Sequence, residues 1–519
     1  MRGWLAAAMA FYVGAALSFR LGSFPALHGD EAWIGLFPRE LARLGFFTFH
    51  GMTDYVGVLF GLLVAGVFAV LTPSAAALRL LGVAANGAAG LIVLAHLWKR
   101  FGSASGLSWL YLLGTSAFFL FESRLAWEVC ALQNLLLALV LTACGRLVAD
   151  EDFGFPAVWL LLQATALGVH NHFIFVSVPL SLFVLSAGAL ALEKDWSLLR
   201  FFRLASAALA MTALLAACQL LLTDARWQEL RWAAGPFLLL LPALAAAAFV
   251  RFRDRGDGVL RALFGDGLFG GARAARAFRV FLALGLLAFA VYHAAPLLQI
   301  WSNVALFKRM VSWDPPVWVS VPLHLWAAVL LGAFVLYAAE RLKGTRLRQL
   351  PRYERFLLYW LLCYGAIFIA FRHTSSIRYY LIPSFLLMAG TAVAMPRVGW
   401  LSSRRALLAL AGMALCCNIL FWREMLGSFE RRPFRFRVGW RQENSGDFMP
   451  KGRLREVMRR EGICAFVSNS TFIDLPLEFM MRVEDLECRS PGKKLWSRLC
   501  YECEGPPYFT WEVRDAAAR

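Results

Sequence analysis

The sequence predicts an all-α polytopic membrane protein of about thirteen transmembrane helices, followed by a small α/β domain outside the membrane. Three observations carry that prediction. Hydrophobic residues make up 60% of the 519 residues, and the mean hydropathy is +0.60. Apolar runs near the length that crosses a bilayer as a helix, roughly 20 residues, recur from the first residues to about position 422. From Arg423 the chain becomes charged and turn-rich. These shifts divide it into a transmembrane unit over 1–422, with a first outer loop over 28–73, and a C-terminal domain over 423–519.

The first run, Trp4 to Phe24, is followed by no small-x-small cleavage site and by many more spans, so it reads as an uncleaved first helix. The expected spans lie near 4–24, 74–97, 104–121, 129–148, 155–169, 173–192, 204–222, 233–250, 280–296, 317–339, 356–371, 379–396 and 406–422. The connections between them differ sharply in charge. Residues 251–279 carry seven arginines against three aspartates, 341–355 carry six basic residues against Glu354, and 397–405 carry three arginines and no acid. With Lys99, Arg100 and Arg2 these mark the cytoplasmic side, while the balanced connections 28–55, 122–128, 170–172, 223–232, 297–316 and 372–378 mark the outer side. An odd number of spans then puts the N-terminus inside and the C-terminal domain outside, as expected of a multi-pass protein of a bacterial plasma (inner) membrane. The net charge of +18 is explained by this topology, without a nucleic-acid partner.

The run 56–71 is marginal for a crossing, and counting it as one would invert every later loop, so it is expected to lie in or re-enter the outer leaflet. No internal repeat suggests a two-halved transporter. In the tail, KGRLREVMRR at 451–460 has helical spacing, and ICAFV at 463–467 reads as a buried strand ending in Ser468-Asn469-Ser470. Cys464, Cys488, Cys500 and Cys503 suggest one or two disulfides with three connectivities open, and the CYEC at 500–503 lacks the second ligand pair that zinc would need. The other six cysteines sit in apolar spans as small buried residues.

The outer side gathers a short polar inventory: His28, Asp30 and Glu31; Glu122, Arg124 and Glu128; His170 and His172; and Arg372, His373 and Arg378, with HGMTD at 50–54 closing the first loop. Carboxylates, imidazoles and guanidiniums on one membrane face suit a phosphate-bearing lipid. Each has a plainer reading. Asp30 and Glu31 begin an interfacial helix whose apolar stripe is Trp33, Ile34, Phe37, Leu41 and Leu44. Arg124 and Arg378 snorkel at span ends. His170 and His172, two apart, point to different sides of a helix.

Taken together, Asp30-Glu31-Ala32-Trp33, Ala77-Leu78-Arg79-Leu80, Trp98-Lys99-Arg100, Ser123-Arg124-Leu125-Ala126-Trp127-Glu128 and Arg378-Tyr379-Tyr380-Leu381-Ile382-Pro383 resemble the polyprenyl-phosphate-sugar-dependent membrane glycosyltransferases of the GT-C fold, the protein O-mannosyltransferase and lipid A aminoarabinose transferase group. The resemblance covers most of 1–200 and about 370–395; elsewhere it is one of topology. It implies a GT-C-like enzyme that moves a sugar from a polyprenyl-phosphate donor to a hydroxyl of a glycan, lipid or protein acceptor. It implies Asp30 as the catalytic base or acceptor-orienting carboxylate with Glu31 beside it, and Glu31 and Glu128 as residues that hold a divalent metal ion or position the acceptor. It also implies substrate contacts from Glu128, Arg124, His170, His172, Arg372, His373, Arg378 and Tyr379. The chain departs from the group at Glu128, where Asp is usual, and at Thr53-Asp54-Tyr55-Val56-Gly57, where Lys-Pro-Pro is common. Two other classes remain open: a transporter or flippase for a lipid-linked glycan, and a scaffold whose outer tail binds a partner.

Overall fold

The computed structural model describes residues 2–25, 27–44, 56–195, 198–221, 231–252, 272–304, 316–343, 347, 349–371, 377–398, some helical positions between 412 and 423, 452–468, 471–483, 488–499 and 509–515. Its first half comprises α1 (Arg2–Ser18), α2 (Gly29–Leu44), α3 (Leu59–Val70), α4 (Ala75–Phe101), α5 (Ser103–Thr115), α6 (Ala117–Glu122), α7 (Glu128–Ala131), α8 (Gln133–Cys144), α9 (Phe155–Asn171) and α10 (Ser177–Glu193). There follow α11 (Leu198–Leu221), α12 (Arg231–Phe252), α13 (Ala272–Leu287), α14 (Ala294–Trp301), α15 (Val317–Leu342), α16 (Arg352–Phe368) and α17 (Leu381–Ala394). The protein is a multi-pass membrane protein: among the described residues, eight helical stretches are long and apolar enough to cross, and Gly3–Ser18, Leu59–Val70 and Leu240–Phe252 are shorter apolar helices. The first twelve expected spans each fall on helix, and the thirteenth, 406–422, lies largely outside the described residues. The marginal run 56–71 is the twelve-residue α3. At 1.5 Å per residue it extends about 18 Å, short of a hydrocarbon core of about 30 Å.

The two ends of the bundle hold their charges differently. At one end Arg79 of α4 meets Glu31, and Arg378, in the turn before α17, meets Asp30. At the other end Arg100 of α4 donates to Asp150 at 2.6 Å, and Arg397, just past α17, donates to Glu354 at 3.1 Å. Arg355 pairs there with Glu193 at 2.9 Å, Tyr359 donates to the same carboxylate at 2.7 Å, and Arg352 pairs with Glu151. These ion pairs cross-link the loops of the basic end. Between the two ends the core closes on buried Trp109, Trp127 and Trp360, and small residues let helix backbones approach. The tightest described case is α13 on α16: a Cβ at Gly285 would lie 2.0 Å from the carbonyl oxygen of Leu362.

Beyond the bundle, α18 (Gly452–Glu461), β1 (Ala465–Ser468), α19 (Thr471–Val483), β2 (Lys493–Leu499) and β3 (Phe509–Asp515) form the small α/β unit. The sheet order is β1-β2-β3, with β1 parallel to β2 and β3 antiparallel to it. Its core is Leu454, Val457, Met458, Ile463, Leu477 and Leu495. The strand begins two residues later than the apolar run predicts, because the Ile463 amide is taken by the Met458 carbonyl at the end of α18; Cys464 forms a disulfide with Cys488. Cys500 and Cys503 lie outside the described residues. The unit rests on α2 through Phe479, whose ring occupies the place a side chain at Gly35 would need, 2.2 Å from a Cβ there.

The backbone contact at Gly285 cannot yield as a flexible side chain would. Gly285→Ala is therefore expected to cost about 1–3 kcal/mol of stability through forced separation of α13 and α16, read as a lowered melting temperature of the detergent-solubilised protein.

Candidate active site

The site begins with how α2 starts. His28 stands just before the helix, its Nδ1 accepting from the Asp30 amide at 2.9 Å, while Glu31 reaches back to the His28 amide at 3.1 Å. This is a reciprocal capping box with an imidazole in place of the usual hydroxyl. It places Asp30 and Glu31 in the first helical turn but turns the two carboxylates to different surroundings.

Glu31 is fully buried, and its two oxygens accept four hydrogen bonds. Oε1 takes Arg79 Nε at 2.8 Å and the Ala126 amide at 2.8 Å; Oε2 takes Arg79 Nη2 at 2.7 Å and the His28 amide. Burial alone would raise this carboxyl, but the charge and hydrogen bonds of Arg79 with the two amides outweigh it and hold the group below its ordinary value. The remaining guanidinium nitrogen of Arg79, Nη1, donates to the carbonyls of Leu21 at 3.1 Å and Pro25 at 2.7 Å. One pair of side chains thus ties the end of the first span, the start of α2, the start of α4 and the 123–127 turn together.

Asp30 faces the opening. Its carboxylate is 25% exposed and accepts from Arg378 Nη1 at 2.9 Å. The Arg378 guanidinium lies over the Trp127 ring, 5.0 Å from its centroid, and 5.4 Å from that of Tyr379, an aromatic seat for a cation. Trp127 in turn donates its indole N–H to His28 Nδ1 at 3.1 Å.

The turn that carries Trp127 is buried, so its backbone must be satisfied internally. Asn86 of α4 donates to the carbonyls of Gly82 and Cys130 at 2.9 Å each and of Ala131 at 3.2 Å, and accepts from Asn134 at 2.8 Å. Glu128 opens α7, its backbone carbonyl held by Asn171 at 2.7 Å, and among the described residues its buried Oε2 has no partner. Arg124 points elsewhere: Nη2 donates to the carbonyls of Phe19 and Phe24, the guanidinium lies 5.3 Å from the Phe24 centroid, and Nε and Nη1 have no partner among the described residues.

His172 ends α9 in extended conformation, caps the following turn through Nδ1 to the Ile174 amide at 3.2 Å, and lies 5.6 Å ring to ring from Tyr379. The His170 carbonyl accepts from the Gly57 amide at 2.8 Å, and a Cβ at Gly57 would stand 2.4 Å from the His170 ring, so only glycine lets the first loop return here. Of the sequence-predicted residues, Asp30, Glu31, Arg378 and Tyr379 gather around the Trp127 turn. Glu128, His170 and His172 line its α9 side, and Arg124 is buried behind it. Arg372, His373 and the 50–54 segment lie outside the described residues.

The expectation that Glu31 and Glu128 share a divalent ion does not fit these residues. Every lone-pair direction of the Glu31 carboxylate is occupied by an N–H donor, and no group of three or more His, Cys, Asp or Glu side chains among the described residues could hold a metal. The sequence reading counted His28 in the polar inventory without giving it a role, and passed over Arg79 and Trp127 as site residues. Arg79 had a signal, since a charge one turn inside an apolar span requires a partner.

No family model and no curated protein matches the chain. Among solved structures, the Archaeoglobus fulgidus oligosaccharyltransferase in the apo form matches at a TM-score of 0.48 with 16% identity over 83% of this chain. The same enzyme with an inhibitory peptide and a dolichol-phosphate matches at 0.45, also at 16%, over 82% of this chain. This chain spans about half the length of that protein, 55% in both cases. ArnT from Cupriavidus metallidurans bound to undecaprenyl phosphate matches at a TM-score of 0.33 with 14% identity over 76% of this chain and 79% of that one. Likeness at this level bears on neither substrate nor residue roles.

Removing one member of a buried ion pair strands the other. Arg79→Leu is expected to lose about 3–5 kcal/mol, whereas Glu31→Gln combined with Arg79→Met recovers much of it, as measured by thermal unfolding of the purified membrane protein.

Proposed function

We propose that the protein is an integral membrane glycosyltransferase that transfers a sugar from a polyprenyl-phosphate donor to an acceptor hydroxyl. The observation that carries this reading is the part-exposed Asp30–Arg378 pair at 2.9 Å, at the place where the three segments of the sequence resemblance meet: DEAW, SRLAWE and RYYLIP. Of the two adjacent carboxylates, Asp30 at 25% exposure is the one substrate can reach; Glu31 is fully buried.

The reaction is a displacement at an anomeric carbon. The acceptor oxygen forms its bond to that carbon as the bond to the phosphate oxygen breaks, the electron pair leaves with the polyprenyl phosphate, and the hydroxyl proton passes to the Asp30 carboxylate. Arg378 holds the Asp30 carboxylate in place through one nitrogen; its Nε, which has no partner among the described residues, is the donor available to the departing phosphate. Glu31 and Arg79 hold the helix that carries Asp30. The charge asymmetry supports an N-terminus in the cytoplasm and a C-terminal domain outside a bacterial plasma membrane, so that the site faces the extracytoplasmic leaflet and the donor's lipid tail stays in the bilayer.

The test is a deletion strain examined by mass spectrometry of its lipid-linked sugars and surface glycans. Loss of the protein is expected to accumulate one lipid-linked sugar and to remove that sugar from one acceptor. The wild-type gene restores both, and Asp30→Asn, inserted at equal level, restores neither. Full restoration by Asp30→Asn overturns the assignment, and donor trapped on the cytoplasmic leaflet identifies a flippase instead.

A further inference from the structure

The contacts around Asp30 close into a ring. His28 Nδ1 accepts from the Asp30 amide at 2.9 Å, and the Asp30 carboxylate accepts from Arg378 at 2.9 Å. Arg378 lies over Trp127 at 5.0 Å, and Trp127 Nε1 donates back to His28 Nδ1 at 3.1 Å. Three segments far apart in sequence are thereby joined, and the atom common to the first and last links is His28 Nδ1. We propose that His28 is the positioning residue of this site: the Nδ1 lone pair, shared by the Asp30 amide and the Trp127 indole, fixes the helical turn bearing Asp30 against the aromatic plate bearing Arg378.

Two N–H donors converge on Nδ1, so that nitrogen carries a lone pair and the ring proton of the neutral imidazole sits on Nε2. Nδ1 also stands 3.8 Å from Asp30 Oδ2, a spacing that would be read as an ion pair if the ring were charged. Protonating Nδ1 would set its hydrogen against both donors, so Arg378 is the cation that serves Asp30 on this side. The ring is 1% exposed and edge-on to Trp127, with centroids 4.5 Å apart and planes at 79°, which denies it other orientations. A hydroxyl would cap α2 but stands one bond short of the indole; an acceptor at the Nδ1 position reaches both the Asp30 amide and the Trp127 indole.

The role rests on the transferase reading above, so the experiment has one readout independent of it. The full-length protein in liposomes, labelled with 15N-histidine, is examined by solid-state NMR. The signal of His28, one of eight histidines, is assigned by its loss in His28→Asn. The expected result is an unprotonated Nδ1 whose shift moves in Trp127→Phe, which keeps a ring under Arg378 and removes the indole N–H. In the deletion strain, His28→Asn, whose amide oxygen takes the place of Nδ1, should retain most of the restoration of the lipid-linked sugar pool. His28→Leu should lose about a hundredfold, the cost of misplacing reacting groups by about 1 Å. A protonated Nδ1, a signal unmoved by Trp127→Phe, or equal loss in Asn and Leu variants that insert equally overturns the role. If Asp30→Asn restores the sugar pool, the transferase reading falls while the spectra still decide the ring of contacts.

Discussion

The structure around the site end of the bundle depends on one constraint: a carboxylate and a guanidinium that are both fully buried have to satisfy each other. Glu31 and Arg79 do so through a two-pronged contact, and the donors left over are spent on backbone carbonyls of the first span while the remaining carboxylate directions take backbone amides. Desolvating two such charges is unfavourable unless every hydrogen-bonding direction is filled, and once it is filled the geometry has few alternatives. The positions of α1, α2, α4 and the Trp127 turn follow from this contact, and with them the direction in which Asp30 points.

The same rule, that no backbone polar group may be left dry, governs the irregular segments beside it. The chain is not helical at 123–127, at Leu132 or between α5 and α6, and at each break a buried side chain takes the freed groups. Asn86 serves the first two, donating to the Ser123 carbonyl at 3.4 Å and to those of Cys130 and Ala131, and Asn303 serves the third, accepting from the Ala117 amide at 2.9 Å and donating to the Thr115 carbonyl at 3.2 Å. Asn86 thereby allows a buried turn to exist, and the turn is what presents Trp127 and Glu128. The C-terminal unit adds a further restraint at the site end, because Phe479 fills the notch at Gly35, one turn beyond Glu31 on the same helix. A domain that contributes no residue to the Asp30 ring therefore still bears on the helix that carries it.

The opposite end of the bundle is held differently. There the acids at 150–152, 193–195 and 354 meet arginines at helix ends and in the connections in ion pairs that are mostly part-exposed, individually weak and many. At the site end Arg79 and Arg124 are instead drawn fully into the fold.

Hydropathy and charge determined that the chain is helical, that it passes the membrane repeatedly, that its polar loops fall into two sets, and that a small α/β unit follows, because apolar length and charge asymmetry are properties of segments and need no knowledge of neighbours. The short α3 and the helix at 451–460 were legible for the same reason. The sequence also brought Asp30 and Glu31 to notice as a pair. Only tertiary structure separated them, since the difference between a reachable carboxylate and a saturated one lies in Arg79, Ala126 and Arg378, which come from 48, 95 and 348 residues away. His28 and Trp127 were invisible as partners because a hydrogen bond between residues 99 apart leaves no trace in spacing or composition. The metal expected at Glu31 yielded to the same fact: carboxylates in a sequence look like ligands, and whether their lone pairs are free is decided by what packs against them.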